Sequence, residues 1–398
     1  MSNPPGPLNG RREFLRSSAA ATGILLLKPQ TVFGTQANSA VEVGIIGCGG
    51  RGNWIGPFFP EYAGARVVAL ADVFPDRLQS TQQKLKVDAS RTHLGLDGYK
   101  ELVASRLDAV IIETPPYYHP EQVAAAVAAG KHVFLAKPVA VDVPGCQSII
   151  ASGQKAQGKL SFVVDFQTRA QPVFQEAAQR VHRGDIGTLV MGHVFYHTGR
   201  LRPQSKPGMP PDEARLRDWA FDKVLSGDVI VEQHIHVLDV ANWYMQAHPI
   251  RAFGTGGRKA RVDVGDCWDH FIVTYWYPND VKVDFSSNQF LKGFHDMCIR
   301  FYGTAGTVDS HYGGAVSITG DNPWKGPEKD DTFRQGAIAN VKNFIESIRT
   351  GKYLNNAAQG AESTMTSILG RMAAYPERLV TWDEMLKANE KLEANLKL

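Results

Sequence analysis

The segment that decides the fold is Val41–Gly52, VEVGIIGCGGRG, in which an apolar run meets a cluster of glycines. The apolar residues predict a short buried strand. The glycines that follow fit the pattern G-x-G-x-x-G. In that pattern the first glycine permits a tight turn, the second lets the backbone approach a pyrophosphate, and the third lets the next helix pack closely. A glycine turn without a nucleotide is the alternative. We therefore predict a phosphate-binding turn formed by Gly47, Gly49, Gly50, Arg51 and Gly52.

A second apolar run, Arg66–Ala71, ends at Asp72, about twenty residues after the last glycine of the turn. A carboxylate at this position can accept hydrogen bonds from the adenosine ribose hydroxyls and would repel a 2′-phosphate. Asp72 therefore favours NAD as the cofactor, whereas the nearby Arg77 leaves NADP as an alternative.

Strands and helices continue to alternate along the first 160 residues. The patterns predict a helix over 76–86, a strand over 109–113, a helix over 119–129 and a strand over 132–135. Strict alternation indicates a parallel, doubly wound sheet, in which ligands bind beyond the carboxyl ends of the strands. Besides the glycine turn, the candidate cofactor-binding residues at those ends are Asp72, Thr114, Pro115, His119, Lys137 and Pro138.

After residue 159 the periodicity changes to that of strands joined by short turns. Strands are predicted over 160–166, 188–197, 269–276, 282–287 and 297–303, and closing helices over 340–349 and 361–374. Such a run favours a large, mostly antiparallel open sheet. The predicted fold class is α/β. Its domains are residues 41–159, of Rossmann type, and residues 160–398, an α+β domain whose C-terminal helices pack back on the body.

The formal charge of the 398 residues is +3, and its position matters more than its size. Residues 1–40 hold four basic residues and one glutamate, so the remainder has equal numbers of basic and acidic residues. A body without an overall basic field gives no reason to expect a nucleic-acid partner. No apolar run reaches the roughly 18 residues typical of a membrane-spanning helix, so we expect no stable membrane insertion.

The first forty residues resemble a twin-arginine export signal. Arg11 and Arg12 precede an apolar run, Ser17–Leu27, and small residues follow. We therefore expect export-machinery contacts and a periplasmic or secreted protein. Because this route carries folded proteins, we predict free, buried thiols and no disulfide framework. The cysteines concerned are Cys48, Cys146, Cys267 and Cys298.

These motifs together resemble the glucose–fructose oxidoreductase, inositol dehydrogenase and rhizopine-catabolism family (Gfo/Idh/MocA). The resemblance rests on the glycine turn, on Thr114-Pro115 with His119, on residues 129–133 (AGKHV) and on Lys137-Pro138. In the family a Glu-Lys-Pro tripeptide closes the nucleotide domain, and its lysine touches substrate and nicotinamide. Here Ala136 stands in place of the glutamate. The resemblance therefore implies a catalytic role for Lys137, while one contact to the nicotinamide ribose is in doubt.

A second motif of the family, Asp-x-x-x-His, corresponds here to Glu232 and His236. Apolar spacing predicts a helix that ends at Met245, with Ser226 or Asp228 as its N-cap, so the pair would share one face. The resemblance implies that His236 accepts a hydroxyl proton with Glu232 as its partner. Because glutamate is one carbon longer than the family's aspartate, the alternative is that Glu232 binds substrate or braces His236 instead of sharing the proton. In a competing hypothesis, residues 232–236 form a strand whose alternate side chains bind a divalent metal. We favour the helix and predict no metal.

The resemblance also implies substrate contacts from Gln167 and Arg169, and we add Tyr196 and Trp219 as pocket residues. We expect an exported NAD(P)-dependent oxidoreductase that acts on a secondary hydroxyl of a sugar, cyclitol or glycoside. A periplasm supplies no ready NAD pool, which favours a tightly bound cofactor. One alternative is a glycosidase that oxidises, eliminates, hydrates and reduces again. A second alternative is a nucleotide-dependent sensor without turnover. The open sheet favours a homo-oligomer.

Overall fold

The computed structural model describes residues 40–327 and 332–396. Residues 1–39, which contain almost all of the predicted export signal, lie outside this part of the chain, so the signal stays a prediction. Part of the loop near residue 330 lies outside it too.

The first sheet is parallel and six-stranded, in the order β3-β2-β1-β4-β5-β6. Its strands are β1 (Glu42–Ile46), β2 (Arg66–Asp72), β3 (Thr92–Leu94), β4 (Ala109–Ile112), β5 (His132–Leu135) and β6 (Phe162–Val164). The helices between them are α1 (Gly50–Ile55), α2 (Phe58–Ala63), α3 (Pro75–Leu85), α4 (Gly98–Ala104), α5 (His119–Ala128) and α6 (Val143–Ala156). The doubly wound fold predicted from the alternation is confirmed.

Both faces of this sheet are covered, because successive strand residues point to opposite sides. Ile45 packs in a cluster with Phe59 of α2, whereas Ile46 packs in a separate cluster with Leu102 of α4. All four residues of β4 are buried. The strand sequences are almost continuously apolar because the strands are buried on both faces of the sheet.

The second sheet has nine strands in the order β14-β13-β12-β11-β7-β10-β9-β8-β15. The strands are β7 (Leu189–Gly199), β8 (Arg251–Gly257), β9 (His270–Trp276), β10 (Lys282–Leu291), β11 (Asp296–Gly303), β12 (Gly306–His311), β13 (Val316–Gly320), β14 (Trp324–Lys325) and β15 (Val380–Thr381). Neighbours are antiparallel except for the central pair β7 and β10, which is parallel. The predicted mostly antiparallel sheet is confirmed.

The strand predicted over 160–166 lies in a different sheet from the one expected. Its core, β6, pairs in parallel with β5, so that Leu135 lies opposite Val164. Sheet membership depends on pairing with a strand some thirty residues away, which the local pattern does not contain. Phe162 and Val164 are buried, as edge residues covered by helices can be.

The helix predicted to end at Met245 is interrupted once, at Gln233 and His234. It consists of α10 (Val229–Glu232) and α11 (Ile235–Met245), and a separate helix, α9 (Lys223–Ser226), precedes it. Asp228, one of the two predicted N-caps, is the N-cap of α10, and its side chain accepts from the backbone N–H of Val229. Gly227 and Asp228 have φ of 81° and 78°, so neither extends α9 as a right-handed helix.

The remaining helices are α7 (Pro172–His182), α8 (Pro211–Arg217), α12 (Thr332–Thr350), α13 (Ala357–Ala374) and α14 (Trp382–Ala388). Helix α12 returns to the first sheet, where Val341 and Phe344 pack in the same cluster as Ile45. Helix α13 lies against α6. Among the described residues, none of the helices combines the length and the apolar character that crossing a membrane requires. The four cysteines are free and buried, as predicted.

Candidate functional site

A cavity of about 1050 Å³ opens at the carboxyl edge of the first sheet. One wall is the glycine turn and the ends of β2 and β4, and the opposite wall is part of residues 201–221. Of the residues predicted to bind cofactor or substrate, those that line the cavity are Gly47, Gly49, Gly50, Arg51, Asp72, Thr114, Pro115 and Trp219. The structure thus brings together residues that are far apart in the sequence.

The glycine turn has the close packing that its motif requires. Gly47 has φ of 95°, and a Cβ there would lie 2.6 Å from the carbonyl carbon of Glu113. A Cβ on Gly52 would lie 1.9 Å from the carbonyl oxygen of Gly47. Gly52 therefore packs directly against the buried side of the turn. The backbone on the other side, which faces the cavity, leaves room for a pyrophosphate. These residues fit a dinucleotide.

Asp72 connects the end of β2 to the glycine turn. Its carboxylate accepts hydrogen bonds from the backbone N–H groups of Cys48, at 2.6 Å, and Phe74, at 2.8 Å. Burial raises the pKa of Asp72, while these bonds and the Arg77 guanidinium lower it. The guanidinium of Arg77 lies 4.8 Å from the ring centre of Phe74, beside the same part of the cavity. An acidic and a basic group therefore meet where adenosine would bind.

An Asp72→Asn variant is expected to bind NAD about tenfold more weakly and to lose much of its preference over NADP. The amide accepts ribose hydrogen bonds without charge and no longer repels a 2′-phosphate. Fluorescence titration with both nucleotides measures the two dissociation constants. Asp76→Asn is the matched control, because Asp76 lines the same cavity but pairs with Arg217. An unchanged NAD to NADP ratio in Asp72→Asn would contradict the assignment.

His119 and Pro138 lie behind the cavity wall. The ring of His119 is fully buried, with Nδ1 2.9 Å from the carbonyl oxygen of Pro138 and Nε2 2.8 Å from that of Thr114. Burial lowers the pKa of His119 to about 4. A neutral ring carries one N–H, so it donates to only one of these two carbonyls. Neither His119 nor Pro138 lines the cavity, and their contact with the cofactor stays a prediction.

Lys137 follows β5 and reaches the end of α10. Its Nζ donates to the backbone carbonyl of Glu232 at 2.6 Å, and Oε1 of Glu232 lies 3.6 Å away. Burial lowers the pKa of Lys137, and the Glu232 carboxylate opposes that shift. Glu232 therefore holds the ammonium mainly through its backbone.

His236 lies in the first turn of α11, across the break from Glu232. Its ring stacks on Tyr312 with centroids 4.9 Å apart, and it is 7% exposed. Burial, followed by the charges of Lys137 and Arg51, lowers the pKa of His236 well below its usual value. The imidazole is therefore neutral near pH 7 and able to accept a proton. Glu232 and His236 are neighbours of Lys137, and they lie on two successive helices, α10 and α11, where the prediction had one.

The strand that the metal hypothesis needs is absent from residues 232–236. His234 instead caps α11, and its ring packs between Tyr196, at 4.9 Å, and Phe285, at 6.5 Å. Alternation of side chains along a strand therefore does not bring the carboxylate and the two imidazoles together.

The proposed substrate residues have different surroundings. Gln167 is buried, accepts from Arg51 at 3.2 Å and donates to the Tyr312 hydroxyl at 3.0 Å. Tyr196 is buried against His234. Arg169 does not face the cavity. Its guanidinium donates hydrogen bonds from Nε and Nη2 to the two carboxylate oxygens of Asp239, each at 2.9 Å. We assign Arg169 a structural role, because its Nε and Nη2 both bind the buried carboxylate of Asp239.

An Arg169→Ala variant is expected to unfold about 3–5 kcal/mol more easily, because it leaves the Asp239 carboxylate buried without its cation. Urea denaturation followed by circular dichroism measures this. Arg183→Ala, which removes a mostly exposed partner of Asp185, should change stability by less than about 1 kcal/mol. If Arg169→Ala were as stable as the wild type but had a raised KM, Arg169 would be a substrate-binding residue instead.

Three functional candidates escaped the sequence analysis, namely Glu113, Asp165 and Tyr312. Arg51 donates to Asp165, which also accepts from Asn340 of α12 at 2.8 Å. Glu113 follows β4 with its side chain fully buried. For Glu113 the sequence offered one indication of function, a glutamate at the end of an apolar strand. For Asp165 and Tyr312 it offered none, because their roles depend on contacts with residues far away in the sequence.

Comparison with known proteins agrees with this geometry. Residues 41–164 match the oxidoreductase family with an NAD-binding Rossmann fold, Gfo/Idh/MocA, and residues 174–309 match the Gfo/Idh/MocA C-terminal domain. The chain is 24% identical to myo-inositol 2-dehydrogenase of Thermotoga maritima over 84% of its length and 95% of that protein. It is 25% identical to the NAD-dependent scyllo-inositol 2-dehydrogenase of Bacillus subtilis, over 73% and 80%.

Solved structures share the fold. Scyllo-inositol dehydrogenase from Lactobacillus casei, with bound NAD(H) and scyllo-inositol, superposes with a TM-score of 0.69 at 18% identity, covering 87% of this chain and all of the other. Aldose-aldose oxidoreductase from Caulobacter crescentus gives 0.71 at 19%, covering 86% and all of that chain. Because the two family matches follow one another along the chain and the glycine turn folds as the first of them requires, this chain belongs to the Gfo/Idh/MocA family, as an NAD-dependent oxidoreductase.

Proposed function

We propose that the protein oxidises a secondary hydroxyl of a sugar, cyclitol or glycoside with a tightly bound NAD. The observation that carries this proposal is the pairing of a buried ammonium, Lys137, with a neutral imidazole, His236, whose pKa that ammonium helps to lower. A hydroxyl needs both groups, one to stabilise developing negative charge and one to take its proton. The inositol dehydrogenases named above support a polyhydroxylated substrate.

The residues divide the work as follows. His236 accepts the hydroxyl proton, because its imidazole is neutral. Lys137 stabilises the alkoxide, and the backbone carbonyl of Glu232 fixes the position of its Nζ. Bound NAD would supply the hydride acceptor, held by the glycine turn and Asp72. Tyr312, stacked on His236, fixes the plane of the imidazole.

One experiment tests the reaction and the retained cofactor together. The mature protein is purified, its nucleotide is released by denaturation and identified, and the folded protein is assayed with sugars, inositols and aryl glycosides without added NAD. Reduction of bound cofactor by a free sugar or inositol supports the proposal. Release of aglycone without net NADH supports the redox-cycling glycosidase instead, and turnover that needs added NAD overturns tight retention. If no nucleotide is released or bound, the proposal fails.

Export through the twin-arginine pathway is part of the proposal, supported by Arg11 and Arg12 ahead of the apolar run. Cell fractionation of the full chain tests it. Replacing both arginines with lysine should keep the protein in the cytoplasm, while a periplasmic fraction equal to that of the wild type would overturn this route.

We also propose a homo-oligomer that uses the outer face of the nine-stranded sheet. Met191, Phe253 and Ile272 point to that face and are 38%, 43% and 55% exposed. Exposed apolar side chains gathered on one face are typical of association surfaces. Light scattering of the purified protein should give a multiple of the protomer mass, and Ile272→Lys should reduce it. A monomeric wild-type protein would refute the surface.

A further inference from the structure

Glu113 is a buried carboxylate that the reaction described above does not use. It follows β4 and lines the cavity, and its side chain has no exposed surface. Within the described residues, neither of its oxygens has a hydrogen-bond partner. An ionised carboxylate in such a place is costly unless a cation or hydrogen-bond donors reach it.

The cations nearby are shared with other carboxylates. Nε of Arg51 lies 4.0 Å from Oε2 of Glu113, but the same guanidinium donates to Asp165. Lys137 is held by Glu232. With all five groups ionised, two positive charges face three negative ones. The carboxylates therefore exceed the cations by one charge, and Glu113 is the carboxylate that has no hydrogen bond from the described residues on either oxygen.

The positive charge that would balance Glu113 can come from one part of a bound dinucleotide. Asp72 marks the adenosine end of the cavity, and the glycine turn marks the pyrophosphate. Glu113 follows β4, which pairs with β1 on the side opposite β2, so it lies on the side of the turn away from Asp72. It lies toward Lys137, whose charge lowers the pKa of Glu113. The nicotinamide half remains for this end, and its ring carries one positive charge when oxidised and none when reduced.

We propose that Glu113 selects the oxidised dinucleotide: its carboxylate stabilises the charged ring and takes up a proton from solvent when that charge is lost. The inference rests on the NAD chemistry of the proposed function and adds a redox-state preference to it.

The proton balance is as follows. The substrate carbinol loses a hydride, which carries two electrons to the ring, and a hydroxyl proton, which His236 accepts. Loss of the ring charge leaves Glu113 unopposed, so it binds one further proton. Burial, followed by Asp165, raises the pKa of Glu113 to about 8, although Arg51 and Lys137 oppose the shift. The protonation of Glu113 therefore changes within a pH range that binding experiments can cover.

The test is the dissociation constants of NAD⁺ and NADH, measured by calorimetry on nucleotide-free protein below and above pH 8. For the wild type, the preference for NAD⁺ over NADH should rise about tenfold between the two conditions. In Glu113→Gln, which keeps the shape and removes the charge, that rise should vanish. Asp72→Asn is the matched control. It should weaken both forms by the same factor and leave the pH dependence intact, because the adenosine half is identical in both.

Each outcome is decisive. A Glu113→Gln variant that weakens NAD⁺ and NADH equally would show a hydrogen-bonding role and overturn redox selection. A wild-type preference that stays constant across pH 8 would overturn it without any variant, even if Glu113→Gln fails to fold. If the wild type binds neither nucleotide, the proposed function fails instead.

Discussion

A Lys137→Ala variant is expected to lose about 10²–10³-fold in kcat for oxidation of a sugar or inositol. In the proposed mechanism the ammonium is the positive group that faces the developing alkoxide, and it lies in a buried site where charge is weakly screened. Its position is preset by the carbonyl of Glu232, so little reorganisation is needed during the reaction. Formation of NADH, followed by absorbance under saturating substrate, measures the loss.

The control for this variant is Lys100→Ala, which removes a surface ammonium that pairs with Asp97. It should keep the wild-type kcat. Affinity for NAD, measured on the same preparations, should change little in Lys137→Ala, because the residues that line the cavity wall remain. Full activity of Lys137→Ala would remove the residue from the mechanism, and loss of nucleotide binding would make it a structural residue.

A His236→Asn variant is expected to lose about 10²–10⁴-fold in kcat, because asparagine cannot accept the hydroxyl proton. His182→Asn is the control, since His182 is exposed at the end of α7, where its Nε2 contacts the backbone carbonyl of Trp243. It should be as active as the wild type. Near wild-type turnover of His236→Asn, with NAD still bound, would assign the proton to another base.

The pH profile gives an independent test of His236. Because burial and the charges of Lys137 and Arg51 hold its pKa well below 6.5, the base form persists below the pH at which an ordinary histidine becomes protonated. The value of kcat/KM should therefore show no decline from His236 near pH 6.5, and its acid limb should lie lower. A decline centred near 6.5 that disappears in His236→Asn would contradict this environment.

The elements predicted best are those whose signals are local. The strand of residues 132–135 has the bounds expected, because buried apolar residues and a following loop are both contained in the segment. The strand of residues 160–166 and the helix ending at Met245 were assigned less well. Pairing with β5 depends on a distant strand, and no local signal such as glycine or proline marks the interruption of the helix at Gln233 and His234.

The sequence by itself determined the nucleotide half of this protein. Spaced glycines, Asp72 and Lys137 carry their chemistry in short motifs that require particular backbone and charge, so they could be recognised before any fold was known. Only the tertiary structure decided which charges meet. Arg169 pairs with Asp239, Arg51 pairs with Asp165, and Glu113 is buried with no hydrogen bond from the described part of the chain. The physical reason is that a buried charge depends on every group within a few ångströms, and those groups come from segments that the linear sequence keeps far apart.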